Sequence, residues 1–308
     1  LEEAGLPKGV INLVYGPGST VGETLIRHPE VDLISFTGSS EMGRHVAQVA
    51  GADLKRVHLE LGGKNAVIVM DDADLDLAVE AILWSAFGTT GQRCTAGSRV
   101  IVHRAVRDRL VDELAQRTAR LRLGNGLDPE TDVGPLINRA AVEKVHSYVE
   151  IGKQEGATLL VGGEPATEGE LARGNFYKPT LFVDVKPQMR IAQEEIFGPV
   201  LSVITVEDFD EAIRVNNGVA YGLSSAIFTR DVQKAFKAMR DLDTGIVYVN
   251  HGTIGAEVHL PFGGTKATGN GHREAGAAAL EVYSEWKSIY VDFSGRLQRA
   301  QIDEVKVD

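Results

Sequence analysis

The one cysteine of the 308-residue sequence, Cys94, lies in the run Phe87-Gly88-Thr89-Thr90-Gly91-Gln92-Arg93-Cys94-Thr95-Ala96-Gly97-Ser98. This is polar, glycine-rich chain rather than an apolar face. Its glycines allow close backbone approach. The adjoining Arg93 cation is expected to lower the thiol pKa and raise the thiolate fraction. Cys94 is therefore a candidate nucleophile, against the alternative of a buried structural thiol. Glu60, in Val57-His58-Leu59-Glu60-Leu61-Gly62-Gly63-Lys64, ends an apolar run ahead of two glycines. Ligands bind at such strand ends in open α/β sheets. Partial burial there would raise the carboxyl pKa toward the working range of a general base. The competing reading is a salt bridge with Lys64 or another cation.

Three further segments could hold a ligand. Phe36-Thr37-Gly38-Ser39-Ser40-Glu41-Met42-Gly43 follows an apolar run and opens a helical pattern. Free N–H groups and the Ser39 hydroxyl could receive a phosphate there, or Ser39 or Ser40 could simply cap the helix. Gln193-Glu194-Glu195-Ile196-Phe197-Gly198-Pro199-Val200 sets two carboxylates before an aromatic and a Gly-Pro turn. It is either a ribose-diol acceptor or a solvated turn. Leu260-Pro261-Phe262-Gly263-Gly264-Thr265-Lys266 is a tight turn carrying an aromatic. Gly16-Pro17-Gly18 followed by Gly22 departs from G-x-G-x-x-G and has no matching acidic residue downstream. His251, His259 and His272 lack metal-ligand spacing and are expected in non-catalytic hydrogen bonds. No metal site is expected.

These residues need a frame, and the pattern supplies an alternating one. Apolar runs at 10–14, 31–36, 56–61, 65–70, 99–103, 200–206 and 245–250 are expected as strands. Helices are expected at 21–27, 41–50, from the Asp71-Asp72-Ala73-Asp74 cap to about Phe87, 106–121 and 143–156. Residues 123–136 and 162–174 are expected as loops. Continuous apolar strands separated by helices predict a parallel sheet covered on both faces, hence an α/β fold. Gly62-Gly63 is expected to be a hinge between two α/β units.

Composition closes off other classes. The sequence is 43% hydrophobic and 24% charged, which is globular. A net charge of −11 argues against nucleic acid or an anionic membrane as partner. A single cysteine allows neither an internal disulfide nor a CxxC site. No run approaches the roughly 18 apolar residues of a membrane span. The start, Leu-Glu-Glu-Ala-Gly-Leu-Pro, has no signal-peptide pattern and no initiator Met, so the chain is expected to begin within a longer one. A reducing, cytoplasmic setting is expected.

Taken in order, Phe36-Thr37-Gly38-Ser39, Leu59-Glu60-Leu61-Gly62-Gly63-Lys64, Gly91-Gln92-Arg93-Cys94, Glu194-Glu195-Ile196-Phe197-Gly198-Pro199 and Pro261-Phe262-Gly263-Gly264 resemble the aldehyde dehydrogenase superfamily. Each piece alone is weak, and the ordered set is specific, with Cys94 34 positions after Glu60. The resemblance runs from Leu1 to about Phe293. It implies a partial Rossmann-like cofactor domain (1–62), an α/β catalytic domain (63–265), and a return segment with an oligomerisation strand (266–308), the strand at 285–293. It implies NAD as cofactor, with NADP left open, a small aldehyde as substrate, and a homodimer or tetramer. Position by position, Cys94 matches the nucleophile and Glu60 the base that activates the deacylating water. Glu274 matches a carboxylate that relays protons with that base. Glu195 and Phe197 match the carboxylate and aromatic at the nicotinamide ribose, and Gly38 and Ser39 the helix start near the pyrophosphate. Phe262 matches an aromatic near the substrate tunnel. The loop around Gly255 and Ala256 resembles one that holds a substrate carboxylate in the semialdehyde branch. With Arg93, it leads to the expectation of a carboxylate-bearing semialdehyde. Glu60 favours hydrolysis over transfer to coenzyme A. Family chains also carry a segment ahead of the position matching Leu1, with the first cofactor-domain strands, an oxyanion-binding Asn and adenosine-ribose ligands. The rival to an enzyme is therefore a non-catalytic remnant acting as a structural or binding protein. A thiol hydrolase pairing Cys94 with a histidine has no supporting spacing.

Overall fold

The computed structural model describes residues 3–297. Its strands are β1 (Leu33–Thr37), β2 (Arg56–Glu60), β3 (Asn65–Val69), β4 (Gly97–His103), β5 (Thr158–Val161), β6 (Thr180–Val183), β7 (Val200–Val206), β8 (Tyr221–Gly222), β9 (Ser224–Phe228), β10 (Ile246–Val249) and β11 (Thr265–Lys266). Its helices are α1 (Glu23–Arg27), α2 (Ser40–Ala52), α3 (Leu75–Phe87), α4 (Arg107–Thr118), α5 (Arg139–Gln154), α6 (Arg190–Gln193), α7 (Phe209–Asn217), α8 (Val232–Asp241) and α9 (Ala278–Val282).

Seven strands form one sheet in the order β10-β9-β3-β4-β7-β6-β5, parallel throughout except at β5. Side chains alternate across such a sheet. Ala66 and Ile68 of β3 therefore enter one core with residues of α5, α7 and α8, while Val67 and Val69 enter the other with α3 and α4. Burial on both faces explains why β3 and β4 are continuous apolar runs. β1 and β2 form a separate parallel pair, crossed over by α2. Ile34, Val46, Ala50, Leu59 and Leu61 make a small third core beneath them. The helices start where the sequence places a capping acceptor: Ser39, Asp74, Asn138, Asp208 and Asp231 each accept a backbone N–H.

The expected α/β class holds, and several elements need correction. Residues 10–14 form no strand. Their apolar side chains are exposed (Leu13 75%), and no neighbouring strand among the described residues supplies a ladder. Strands β5, β6 and β9 and helices α7 and α8 were not foreseen. Gly62-Gly63, expected as the join between two α/β units, falls between β2 of the two-stranded sheet and β3 of the seven-stranded one. Both glycines are buried, and a Cβ on either would stand 2.5 Å from another group, Glu195 Oε2 at Gly62 and the Cys94 carbonyl at Gly63. The segment 285–293, expected as a strand that pairs across a subunit interface, makes no ladder among the described residues, and Trp286, Tyr290 and Phe293 are each 94% exposed. The end of the expected return segment, 298–308, lies outside the described residues. Among those described, no helix is long and apolar enough to cross a membrane.

Candidate active site

The site forms where the β1–β2 pair meets the seven-stranded sheet. Glu60 is the last residue of β2, and its carbonyl accepts from Gly38 N at 3.1 Å. The next residue, Leu61, donates to Thr268 O at 2.7 Å, so the returning chain seals the edge of β2. Glu60 is buried, and its Oε2 has no hydrogen-bond partner. Burial first, then the charge of Glu274, pushes its pKa up to about 8, while Arg273 opposes them. No ion pair joins it to Lys64. That lysine is itself buried with Nζ unpartnered, and burial followed by Arg99 lowers its pKa to about 7.

Glu274 sits beside Phe262. The two exchange backbone hydrogen bonds of 2.6 and 2.7 Å, and Ser35 Oγ on β1 donates to Glu274 Oε1 at 3.3 Å. This pairing brings the sequence-distant Phe262 and Glu274 to the end of the β1–β2 unit.

Cys94 occupies a turn between α3 and β4, closed by Ala96 N donating to Arg93 O at 3.0 Å. Its thiol pKa is raised, chiefly by burial and further by the charges of Glu60 and Glu195; the N–H groups of Thr95 and of Cys94 itself oppose this. The expectation that Arg93 activates the thiol is thus corrected. The Arg93 side chain is exposed to solvent, and burial with the two carboxylates outweighs it at the thiol.

The two carboxylates after α6 have separate partners. Glu194 accepts two guanidinium hydrogen bonds from Arg190 and one from Tyr148 OH at 2.7 Å. Glu195 instead accepts from Gly63 N at 2.9 Å. Phe197 follows with φ of 60°, in the left-handed region, and its side chain is half-exposed. Ser39 caps α2, accepting from Met42 N at 3.2 Å.

One cavity of about 770 Å³ is lined by Gly38, Ser39, Arg93, Cys94, Glu195, Phe197, Gly255, Ala256 and Phe262, nine of the eleven site residues expected from the sequence. Glu60 and Glu274 stand outside its lining but are linked to it, since the Glu60 charge acts on the Cys94 thiol and the Glu274 charge on Glu60. The cavity also contains Lys144 of α5, which the sequence gave no reason to single out because it sits among ordinary solvent-face residues. Arg273, facing Glu60, was likewise missed. His272 packs against His58, ring centroids 3.7 Å apart.

The aldehyde dehydrogenase family model matches residues 1–289. The chain belongs to the aldehyde dehydrogenase family. It is 44% identical over 290 residues to the alpha-ketoglutaric semialdehyde dehydrogenase of Bacillus subtilis, covering 94% of this chain and 59% of that protein. It is 46% identical over 292 residues to the betaine aldehyde dehydrogenase of the same organism, with the same two shares. The crystal structure of Staphylococcus aureus betaine aldehyde dehydrogenase with NAD+ superposes with a TM-score of 0.89 at 42% identity, covering 92% of this chain and 55% of the other. The chain thus spans about three-fifths of the length of these curated relatives.

Proposed function

We propose that this aldehyde dehydrogenase chain carries the reacting centre of an NAD-dependent enzyme that oxidises an aldehyde to a carboxylic acid. The observation that carries the reading is a thiol (Cys94) and a ribose-type acceptor (Glu195) lining one cavity, with a carboxyl of pKa about 8 (Glu60) just behind the lining whose charge acts on that thiol. Residues 1–62 are then the later part of the cofactor unit, 63–265 the catalytic unit and 266–308 the return segment.

The cavity volume lies in the range of small-molecule sites. Its residues fit a dinucleotide: Glu195 offers the carboxylate edge not engaged by Gly63 N to a ribose diol, and the N-terminus of the 13-residue helix α2 lines the cavity at Ser39. When bound, the nicotinamide supplies the acceptor for the aldehyde hydride. Cys94 Sγ attacks the carbonyl carbon, forming the C–S bond of a thiohemiacetal. The Cys94 N–H is a donor this chain would offer to the oxygen on which charge collects. Loss of hydride leaves a thioester on Sγ. Glu60 then takes a proton from water, whose oxygen attacks the thioester; the C–S bond breaks, and acid and thiol are released. The mutual repulsion of Glu60 and Cys94 orders these steps. A thiolate at Cys94 keeps the proton on Glu60, and acylation removes that charge, easing Glu60 ionisation. Glu274 exchanges protons with Glu60. A reducing compartment keeps such a thiol free.

We assign a semialdehyde with a distal carboxylate as substrate. Arg93 supplies a cation in the cavity, and Gly255, at φ of 113°, exposes backbone beside it. Across a series of aldehydes of one length, the terminal carboxylate is expected to raise kcat/KM at least about tenfold. Arg93→Met would erase most of that preference. Equal values for the carboxylate and methyl-terminated members overturn the assignment. For the enzyme itself, the full-length wild-type protein should reduce NAD+ with an aldehyde and Cys94→Ala should abolish this; an unchanged rate in Cys94→Ala would overturn the nucleophile assignment, and a wild-type protein silent with every aldehyde would favour the non-catalytic remnant.

A further inference from the structure

The turn that presents Cys94 is held from outside by two side chains that do not line the cavity. Asn65, buried at the start of β3, donates from Nδ2 to Cys94 O at 2.7 Å and to Ala96 O at 2.9 Å. Thr253 is fully buried, and its Oγ1 donates to Thr95 O at 2.8 Å. Three consecutive carbonyls, 94 to 96, are thus each held by a buried side chain. A peptide unit is planar and trans, so its C=O and the following N–H point in opposite directions. Fixing Cys94 O against Asn65 therefore fixes Thr95 N–H on the opposite side, where it faces Sγ. Fixing Thr95 O against Thr253 directs Ala96 N–H back to Arg93 O and closes the turn.

Both clasps are themselves anchored. Asn65 Oδ1 accepts from Ser224 N at 3.0 Å, which ties it to β9. Thr253 N donates to Ser85 Oγ on α3 at 3.1 Å, and Thr253 O accepts from Ser224 Oγ at 3.0 Å. Thr253 also belongs to the segment that carries Gly255 and Ala256 into the cavity.

We propose that Asn65 and Thr253 are positioning residues for the reaction. They act through the main chain of residues 94–96, aiming the Thr95 N–H at the Cys94 sulfur and coupling the 253–256 segment to the nucleophile. The inference rests on Cys94 being the reacting thiol.

The test is the pH dependence of Cys94 alkylation by iodoacetamide in the full-length protein, followed on the Cys94 peptide by mass spectrometry, with steady-state kinetics alongside. Asn65→Ala should move the alkylation midpoint up by about one pH unit and lower kcat with KM for the aldehyde little changed. Thr253→Val keeps side-chain shape but loses the hydroxyl. It should move both quantities in the same direction, and Thr253→Ser should restore them. The threonine pair decides the matter should Asn65→Ala fail to fold. Alkylation curves for folded Asn65→Ala or Thr253→Val that overlay the wild type would overturn the proposal. So would a Thr253→Ser protein that behaves as Thr253→Val does. Turnover surviving in Cys94→Ala is a different result: it removes the nucleophile assignment and leaves the alkylation curves standing as a property of the turn.

Discussion

Glu60 joins a proposed chemical duty to an unfavourable surrounding. Its pKa near 8 arises from burial and from Glu274, against Arg273. As the base for deacylation it must be ionised, so kcat should rise with pH along a limb centred near 8 wherever deacylation limits turnover. Glu274→Gln removes the like charge and should move that limb to lower pH. Arg273→Leu should move it higher. Limbs that coincide in all three proteins would take Glu60 out of the base role. The same shift has a stability consequence with a definite sign. Because the folded pKa lies above the unfolded value of 4.5, the stabilising proton is fully present below about 4.5 and is lost as pH rises through about 8. Glu60→Gln should therefore gain thermal stability relative to wild type as pH goes from 5 to 9, read as a widening Tm difference. Lys64 behaves oppositely: with its pKa lowered to about 7, the stability of its neutral form is lost as pH falls from the unfolded value toward and through about 7. Lys64→Met should raise Tm more at pH 6 than at pH 10, as differential scanning calorimetry would read. At this scale the sequence was informative about identity and poor about environment. The motifs picked out Cys94, Glu60 and Glu195. They also suggested an activating Arg93, yet the burial and carboxylates that dominate around the thiol come from segments far away in sequence.

The elements hold these groups through contacts that leave no room at Gly62 and Gly63. A Cβ at Gly62 would stand 2.5 Å from Glu195 Oε2. Gly62→Ala should displace that carboxylate and raise KM for NAD+ about tenfold, with a smaller effect on the aldehyde. Gly63→Ala presses on the backbone carbonyl of Cys94 instead, where nothing flexible can yield. Its expected loss is about 1–3 kcal/mol of folding stability, measurable by urea denaturation. The strands β3 and β4 were legible because both their faces are buried, which writes an uninterrupted apolar run into the sequence. β5 was not, since its burial alternates and it lies at an edge, antiparallel to β6. Residues 10–14 carry the converse error: an apolar run, Val10-Ile11-Asn12-Leu13-Val14, that finds no ladder among the described residues. Hydrophobicity alone does not make a strand where no partner supplies hydrogen bonds.

Across the molecule, the cavity draws on segments from Thr37 to Phe262 and bridges the β1–β2 unit and the seven-stranded sheet. A ligand bound there stabilises both together. NAD+ at one hundred times its Kd should add about 2.7 kcal/mol of stability to the full-length protein, seen as one concentration-dependent Tm; a Tm indifferent to NAD+ would argue against a dinucleotide in this cavity. The ordered motifs made the site readable before the fold because they lie at strand ends, where residue choice is restricted by chemistry. Asn65, Lys144, Thr253 and Arg273 were not readable, for each acts through a neighbour that only the folded chain supplies. The central claim, that Cys94 carries the acyl group and Glu60 releases it, is most directly tested by trapping. Full-length Glu60→Gln protein would be mixed with NAD+ and an aldehyde, quenched in acid, and its Cys94 peptide weighed. The account predicts a burst of about one NADH per site and an acyl group on Cys94 that hydroxylamine removes. A burst-free steady rate with an unmodified Cys94 peptide would contradict it.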